Sequence, residues 1–182
     1  MTAPTYQDVL AFWFEEISTE SWWLAAPDFD QLVRKRFGPL LRAATFGECF
    51  TWRNAPTGRL AEIIVLDQFS RNIHRGTSQA FSQDPMALAL AQEAVSQNVL
   101  AVLSPVERSF ILLPYMHSES KVIHEQAETL YRDHAPEESY KFELRHKSIV
   151  DRFGRYPHRN EALGRASTAE EVEFLKLPGS KF

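Results

Sequence analysis

Three stretches of the sequence place acids, imidazoles and guanidiniums where a helix would be expected to present apolar residues. Residues 60–75 read as a helix at about 100° per residue. On it Asp67, Arg71 and Arg75 share a face with Leu60 and Ile64, while Val65, Leu66, Phe69 and Ile73 cover a second broad face. A helix so apolar around its circumference is expected at the centre of the fold, with its charged arc facing a cleft or other helices. Asp67 and Arg71, at i and i+4 with the acid first, are spaced to pair. In residues 105–133, Glu119 falls within the stripe of Ile111, Leu112, Tyr115, Val122, Ile123 and Leu130, flanked by Arg108 and Gln126. A carboxylate there needs an Arg or His against it, because left alone it would pay a large desolvation cost or take up a proton. Pro114 is expected to kink this helix, which leaves the aim of His117 open. In residues 138–153, His146 sits in the middle of the stripe formed by Phe142, Ile149, Val150 and Phe153.

A His and a Glu facing inward from neighbouring helices form the geometry from which proton transfer is built, so Glu119 and His146 are the catalytic candidates. His117, Glu119, His146 and His158 offer metal-ligating atoms, yet no pair has a recognised zinc spacing and no metal is expected. Gly154 is followed by Arg155, Tyr156, Pro157, His158, Arg159 and Asn160, a short loop in which proline favours an extended Tyr156. Arg155, His158, Arg159 and Asn160, with Asp67 and Arg71, are the residues expected to bind a carboxylate or phosphate. The same groups could instead tie the C-terminal helices down, and the sequence leaves both readings standing.

The elements that must position these groups are helices. Seven glycines and ten prolines in 182 residues leave little material for the tight turns of an all-β fold. Thr5 with Asp8 opens a segment to residue 17, and residues 28–46 form another, broken near Gly38 and Pro39. Residues 58–75 follow, and Asp84 is the expected N-cap of residues 86–98. Ser104 and Glu107 form a capping box ahead of the run 105–133, residues 138–153 end at Gly154, and Ser167 with Glu170 caps residues 171–177. Seven or eight helices are expected, packed as antiparallel hairpins in one all-α domain spanning residues 1–182.

Composition narrows the function. The longest apolar runs are far too short for a membrane helix, and the first 30 residues carry six acids with no Lys or Arg, the reverse of a signal peptide. The single cysteine, Cys49, reads as a packing residue, and a cytoplasmic location is expected. A pI near 5.9 argues against extended nucleic-acid binding. The segment 145–165 is nonetheless net positive, with Arg145, Lys147, Arg152, Arg155, Arg159 and Arg165 against Asp151 and Glu161.

Together the strings Leu66-Asp-Gln-Phe-Ser-Arg-Asn72, Pro114-Tyr-Met-His-Ser-Glu119, His146 and Phe153-Gly-Arg-Tyr-Pro-His-Arg-Asn160, with Leu163-Gly-Arg and Ser167-Thr-Ala-Glu-Glu, resemble the bacterial domain-of-unknown-function family numbered 924. Ser70, where proline is commoner, and Tyr156, in place of Phe, are small departures. The resemblance runs from about Val9 to Leu175 and implies an αα superhelix similar to tetratricopeptide repeats. It implies no activity, substrate or cofactor. A repeat period of 34 residues is not visible in this chain.

Two functions compete. In the first, the polar residues converge between helices to bind a small anionic or polar molecule, with acid-base chemistry by Glu119 and His146. In the second, a superhelical groove accepts a peptide, the polar motifs are internal struts, and Trp13, Trp22, Trp23 or Trp52 contribute an exposed apolar surface.

Overall fold

The computed structural model describes residues 3–180, and every regular element among them is helical. Helix α1 (Tyr6–Ala11) opens on the expected capping box, in which Thr5 and Asp8 satisfy each other's backbone N–H, and runs on into a π-turn, Phe12–Glu16. Helix α2 (Pro27–Thr45) is continuous where a break was expected, with Pro39 inside it. Pro39 and Lys35, whose carbonyl loses its partner to the proline, are both exposed, so water replaces the missing bond while Val33, Phe37, Leu40, Leu41 and Ala44 anchor the other face.

The central rod is α3 (Pro56–Ile64), a π-turn over Val65–Phe69, and α4 (Ser70–Ile73). Residues 60–70 are all buried, as their apolar circumference predicts. At its start Gly58 lies against the preceding turn, and a Cβ built there would come 2.1 Å from the Trp52 carbonyl oxygen. Gly58→Ala, which in an exposed helix would gain about 1 kcal/mol, is therefore expected to lose about 1–3 kcal/mol here, measured as a fall in the urea midpoint.

Helix α5 (Asp84–Ser96) buries Ala87, Ala91 and Ala94. Asp84 is not its cap: the N-cap position is Gln83, and Asp84 lies in the first turn with its carboxylate turned to two arginines described below. The run 105–133 is two helices, α6 (Pro105–Met116) and α7 (Lys121–His134). The chain leaves α6 two residues after Pro114. In the break the Ser118 hydroxyl accepts from the Ser120 N–H, and Glu119 is drawn to partners near the C-terminus. Helix α8 (Glu137–Phe153) ends at Gly154 with φ 69°, as expected. The last helix, α9 (Ala169–Phe174), is capped one residue later than expected, by Thr168 and Glu171. Ser167 accepts from the Asn160 amide instead.

Helices α3 and α4 form one rod, so the chain has eight helical rods among the described residues. Helices α6, α7 and α8 pack as antiparallel hairpins: Tyr131 of α7 donates to the Ser109 carbonyl of α6, and Lys121 at the start of α7 reaches the Asp151 carbonyl near the end of α8. The main core joins α1 to α7 around Phe12, Trp13, Phe37, Phe69 and Phe110, with Phe37 and Phe69 stacked at 4.7 Å. A small second core, Ile149, Val150 and Tyr156 with Phe153 and Phe174, holds the C-terminal segment. Among the described residues no helix is long and apolar enough to cross a membrane.

Candidate functional site

The π-turn in the central rod carries Asp67, whose side chain is 1% exposed. Its Oδ1 is ion-paired with Arg71 Nη1 at 3.0 Å and accepts from His117 Nδ1 at 2.8 Å, its Oδ2 accepts from the Gln68 amide at 2.6 Å, and its backbone carbonyl accepts from Arg71 Nη1 at 2.9 Å. Burial alone would raise the Asp67 pKa, but Arg71 and His117 outweigh it and hold the carboxyl well below the usual range. Burial, aided by Arg71, pushes His117 the other way, to a lowered pKa that Asp67 only partly restores. An ionised carboxylate only accepts, so Nδ1 of His117 carries the proton. In the neutral ring Nε2 then carries a lone pair, and no partner holds it among the described residues.

Arg71 extends the cluster to Asp84 at the start of α5, with Nη1 on Oδ1 at 2.9 Å and Nη2 on Oδ2 at 3.1 Å. Arg159, from the loop after α8, donates to the same Oδ2 at 3.1 Å and to the His117 carbonyl at 3.0 Å. Both guanidiniums lie over the Phe81 ring, 5.6 Å and 4.6 Å from its centre, and Arg159 also covers Tyr156 at 4.7 Å. Arg159 is 5% exposed, and its Nε is buried without a partner among the described residues. Burial and the nearby Arg71 lower its pKa. Arg71, Phe81, Asp84, His117 and His158 are half-buried, so the cluster reaches the surface along one polar edge. Burial, with Arg159 and His117 adding to it, lowers the His158 pKa to about 3.

The other expected site residues lie in different surroundings. Glu119 receives both Nη atoms of Arg165, at 2.6 and 2.9 Å, and the Tyr156 backbone N–H at 2.7 Å. It has the arginine partner its position demanded, though not Arg108, which donates to the Leu103 carbonyl. Arg155 grips Glu171 through Nε and Nη2 at 2.6 and 2.8 Å. Asn160 donates to Ser167 and Glu171 and accepts from Arg165 Nε at 3.0 Å. These groups form one network that ties the loop after α8 to α9. His146 donates Nδ1–H to the Phe142 carbonyl at 2.8 Å and lies edge-on to Tyr156, and burial drops its pKa to about 3.

The closely bonded His–Glu pair on neighbouring helices is His124 of α7 with Glu143 of α8, Nδ1 to Oε1 at 2.6 Å, both side chains fully buried. Nε2 of His124 meets the Ser118 carbonyl at 2.9 Å and the Tyr156 hydroxyl at 3.1 Å. The sequence hid this pair because the break after α6 resets the helical phase. The buried face of α7 is His124, Ala127 and Tyr131. On α8 it is Glu143, His146, Ile149 and Val150, while Phe142, which its spacing places in the stripe, is 47% exposed. Arg75 leaves the Asp67 face because α4 ends at Ile73, and it pairs with Asp30 of α2 at 2.5 Å. That pair lines an open cleft of about 270 Å³ with Pro27, Gln31, Arg34 and Asn72. Among the described residues no group of three or more His, Cys, Asp or Glu is placed to hold a metal ion.

The family model described as "Bacterial protein of unknown function (DUF924)" matches residues 9–179. A solved structure of a protein of unknown function from Agrobacterium tumefaciens is similar over 94% of this chain and 96% of that one, with a TM-score of 0.88 and 32% sequence identity. No curated protein matches the chain.

Proposed function

We propose that this chain, which belongs to the DUF924 family of bacterial proteins, binds a small anionic molecule at the half-buried edge formed by Arg71, Asp84, His117 and Arg159. The observation that carries this reading is the convergence of two guanidiniums, one of them nine-tenths buried, beside an imidazole whose Nε2 lone pair is unclaimed. Arg53 with Glu62 and Arg155 with Glu171 are paired through Nε and Nη2, a complete fork on one carboxylate. Arg159 differs, since its Nε has no acceptor and it shares its carboxylate with Arg71.

In this reading Asp67, Arg71, Arg159 and His158 are site residues, joined by Asp84, His117 and Phe81. Glu119, Arg155 and Asn160 brace the C-terminal segment. Proton exchange with the ligand falls to His117: Asp67 fixes its tautomer, and its lowered pKa keeps Nε2 able to accept a proton at neutral pH. The chain would act in the cytoplasm on a soluble carboxylate- or phosphate-bearing compound.

The test is thermal unfolding against a panel of carboxylates and phosphorylated compounds. A ligand at a hundredfold its Kd adds about 2.7 kcal/mol, a shift of a few degrees at this chain length. That shift is expected to vanish in Arg71→Gln, provided the variant melts cooperatively without ligand. A wild-type protein unmoved by the whole panel contradicts the reading. It would favour a tetratricopeptide-like peptide-binding role, for which the exposed apolar side chains Trp23, Leu24, Val102 and Val106 are the support. Of the other tryptophans, Trp13 is buried and Trp22 and Trp52 are half-buried.

A further inference from the structure

We propose that Asp84 is an internal placeholder at this site, and that the natural ligand's anionic group is a carboxylate that takes the place of Asp84 on Arg71 and Arg159. The inference rests on the site assignment above and specifies its ligand. The occupant already present is a carboxylate, with each oxygen met by a guanidinium: Arg71 spans both, at 2.9 and 3.1 Å, and Arg159 adds a third bond to Oδ2 at 3.1 Å. Planar, bidentate recognition of this kind suits a carboxylate.

Asp84 is not the N-cap of α5, which is Gln83, and among the described residues its side-chain hydrogen bonds run to these two arginines alone. It stands on the first turn of α5, beside the short 3-10 turn Ser78–Phe81 and an exposed Ser82, so its withdrawal disturbs one helix end and frees Arg71 of the central rod for the ligand. Once it leaves, Arg71 keeps only Asp67, which His117 also engages, and Arg159 keeps only the field of Glu119, which Arg165 already grips. Such an excess of buried positive charge demands an anion. Arg159 Nε, buried and without an acceptor, is the further donor a freely moving carboxylate could use and a tethered Asp84 does not. The Phe81 ring beneath both guanidiniums holds them in place during the exchange.

The experiment compares acetate, succinate and inorganic phosphate binding to the wild-type protein and to Asp84→Asn by calorimetry. Removing the internal competitor should tighten carboxylate binding about tenfold or more. In the wild-type protein, saturating succinate should speed backbone hydrogen exchange at residues 83–86 as the start of α5 is released, a readout that needs no variant to fold. Equal or weaker carboxylate binding by Asp84→Asn, with slowed or unchanged exchange at residues 83–86, overturns the placeholder. If the wild-type protein still binds succinate in a manner that depends on Arg159, the site reading survives that result. If neither protein binds any of the three anions, both fail. Preferential gain of phosphate affinity in Asp84→Asn overturns the carboxylate assignment alone.

Discussion

His124→Leu is expected to lose about 3–5 kcal/mol of folding stability, the range for breaking a buried, hydrogen-bonded pair by removing one partner. His124 and Glu143 are both fully buried, and Glu143 Oε2 already lacks a partner, so the imidazole is the carboxyl group's one hydrogen bond among the described residues. Burial raises the Glu143 pKa against the pull of His124. Without the imidazole the carboxyl must take a proton or lie charged in an apolar setting. The Ser118 carbonyl, in the break between α6 and α7, also loses its donor, because a carbonyl only accepts and Nε2–H supplied it. The double variant His124→Leu/Glu143→Leu should regain much of the loss, since replacing both members of a buried pair by apolar groups is often near neutral. Urea unfolding of the two single variants and the double gives the coupling directly. A single-variant loss below about 1 kcal/mol, the scale of a surface pair, would show that the pair does not brace the α7–α8 hairpin.

Asp67→Asn is expected to cost about as much, 3–5 kcal/mol, and to change the shape of the acid limb. The folded-state pKa of Asp67 is depressed. The unfolded chain therefore binds the proton first, and the stability this carboxylate contributes is complete above its unfolded pKa, near 3.9. It is lost as pH falls from there toward the folded value. Over that window the wild-type protein should lose up to about 1.4 kcal/mol per pH unit through this group, and Asp67→Asn should lack that component. The substitution also removes the carboxylate that raises the His117 pKa, so His117 should titrate at still lower pH in the variant. An unchanged acid limb in Asp67→Asn would mean that Asp67 is not the anchored carboxylate described here.

Much of the fold was legible because helical signals are local. The Thr5 and Ser104 capping boxes, Gly154 at the end of α8 and the apolar circumference of residues 60–70 each act within a few residues of themselves. Misreadings arose where a distant group claimed a local one. Asp84 is a good N-cap by type, but Arg71 and Arg159 bind it more strongly than a backbone N–H would. Ser167 and Glu170 have capping-box spacing, yet Asn160 takes the Ser167 hydroxyl and Thr168 caps with Glu171 instead. The candidate site was legible only in its local part. The Asp67–Arg71 pair follows from one helix, and the need for an arginine against Glu119 follows from burial, but that arginine is Arg165, 46 positions away. The turn of His117 onto Asp67 depends on the chain leaving α6 just after Met116, which no periodicity within a single long helix describes.

The claim that most needs testing is that His117 presents a proton-accepting Nε2 beside two anion-binding guanidiniums. Long-range proton–nitrogen NMR of the imidazole rings, with His117 assigned by His117→Gln, reads both halves in one titration. At neutral pH the ring should carry its proton on Nδ1 alone, and acetate or succinate should shift the Nε2 resonance in the wild-type protein but not in Arg71→Gln. A doubly protonated His117 at neutral pH, or an Nε2 signal unmoved by every anion, would contradict the account and leave the cluster as an internal brace.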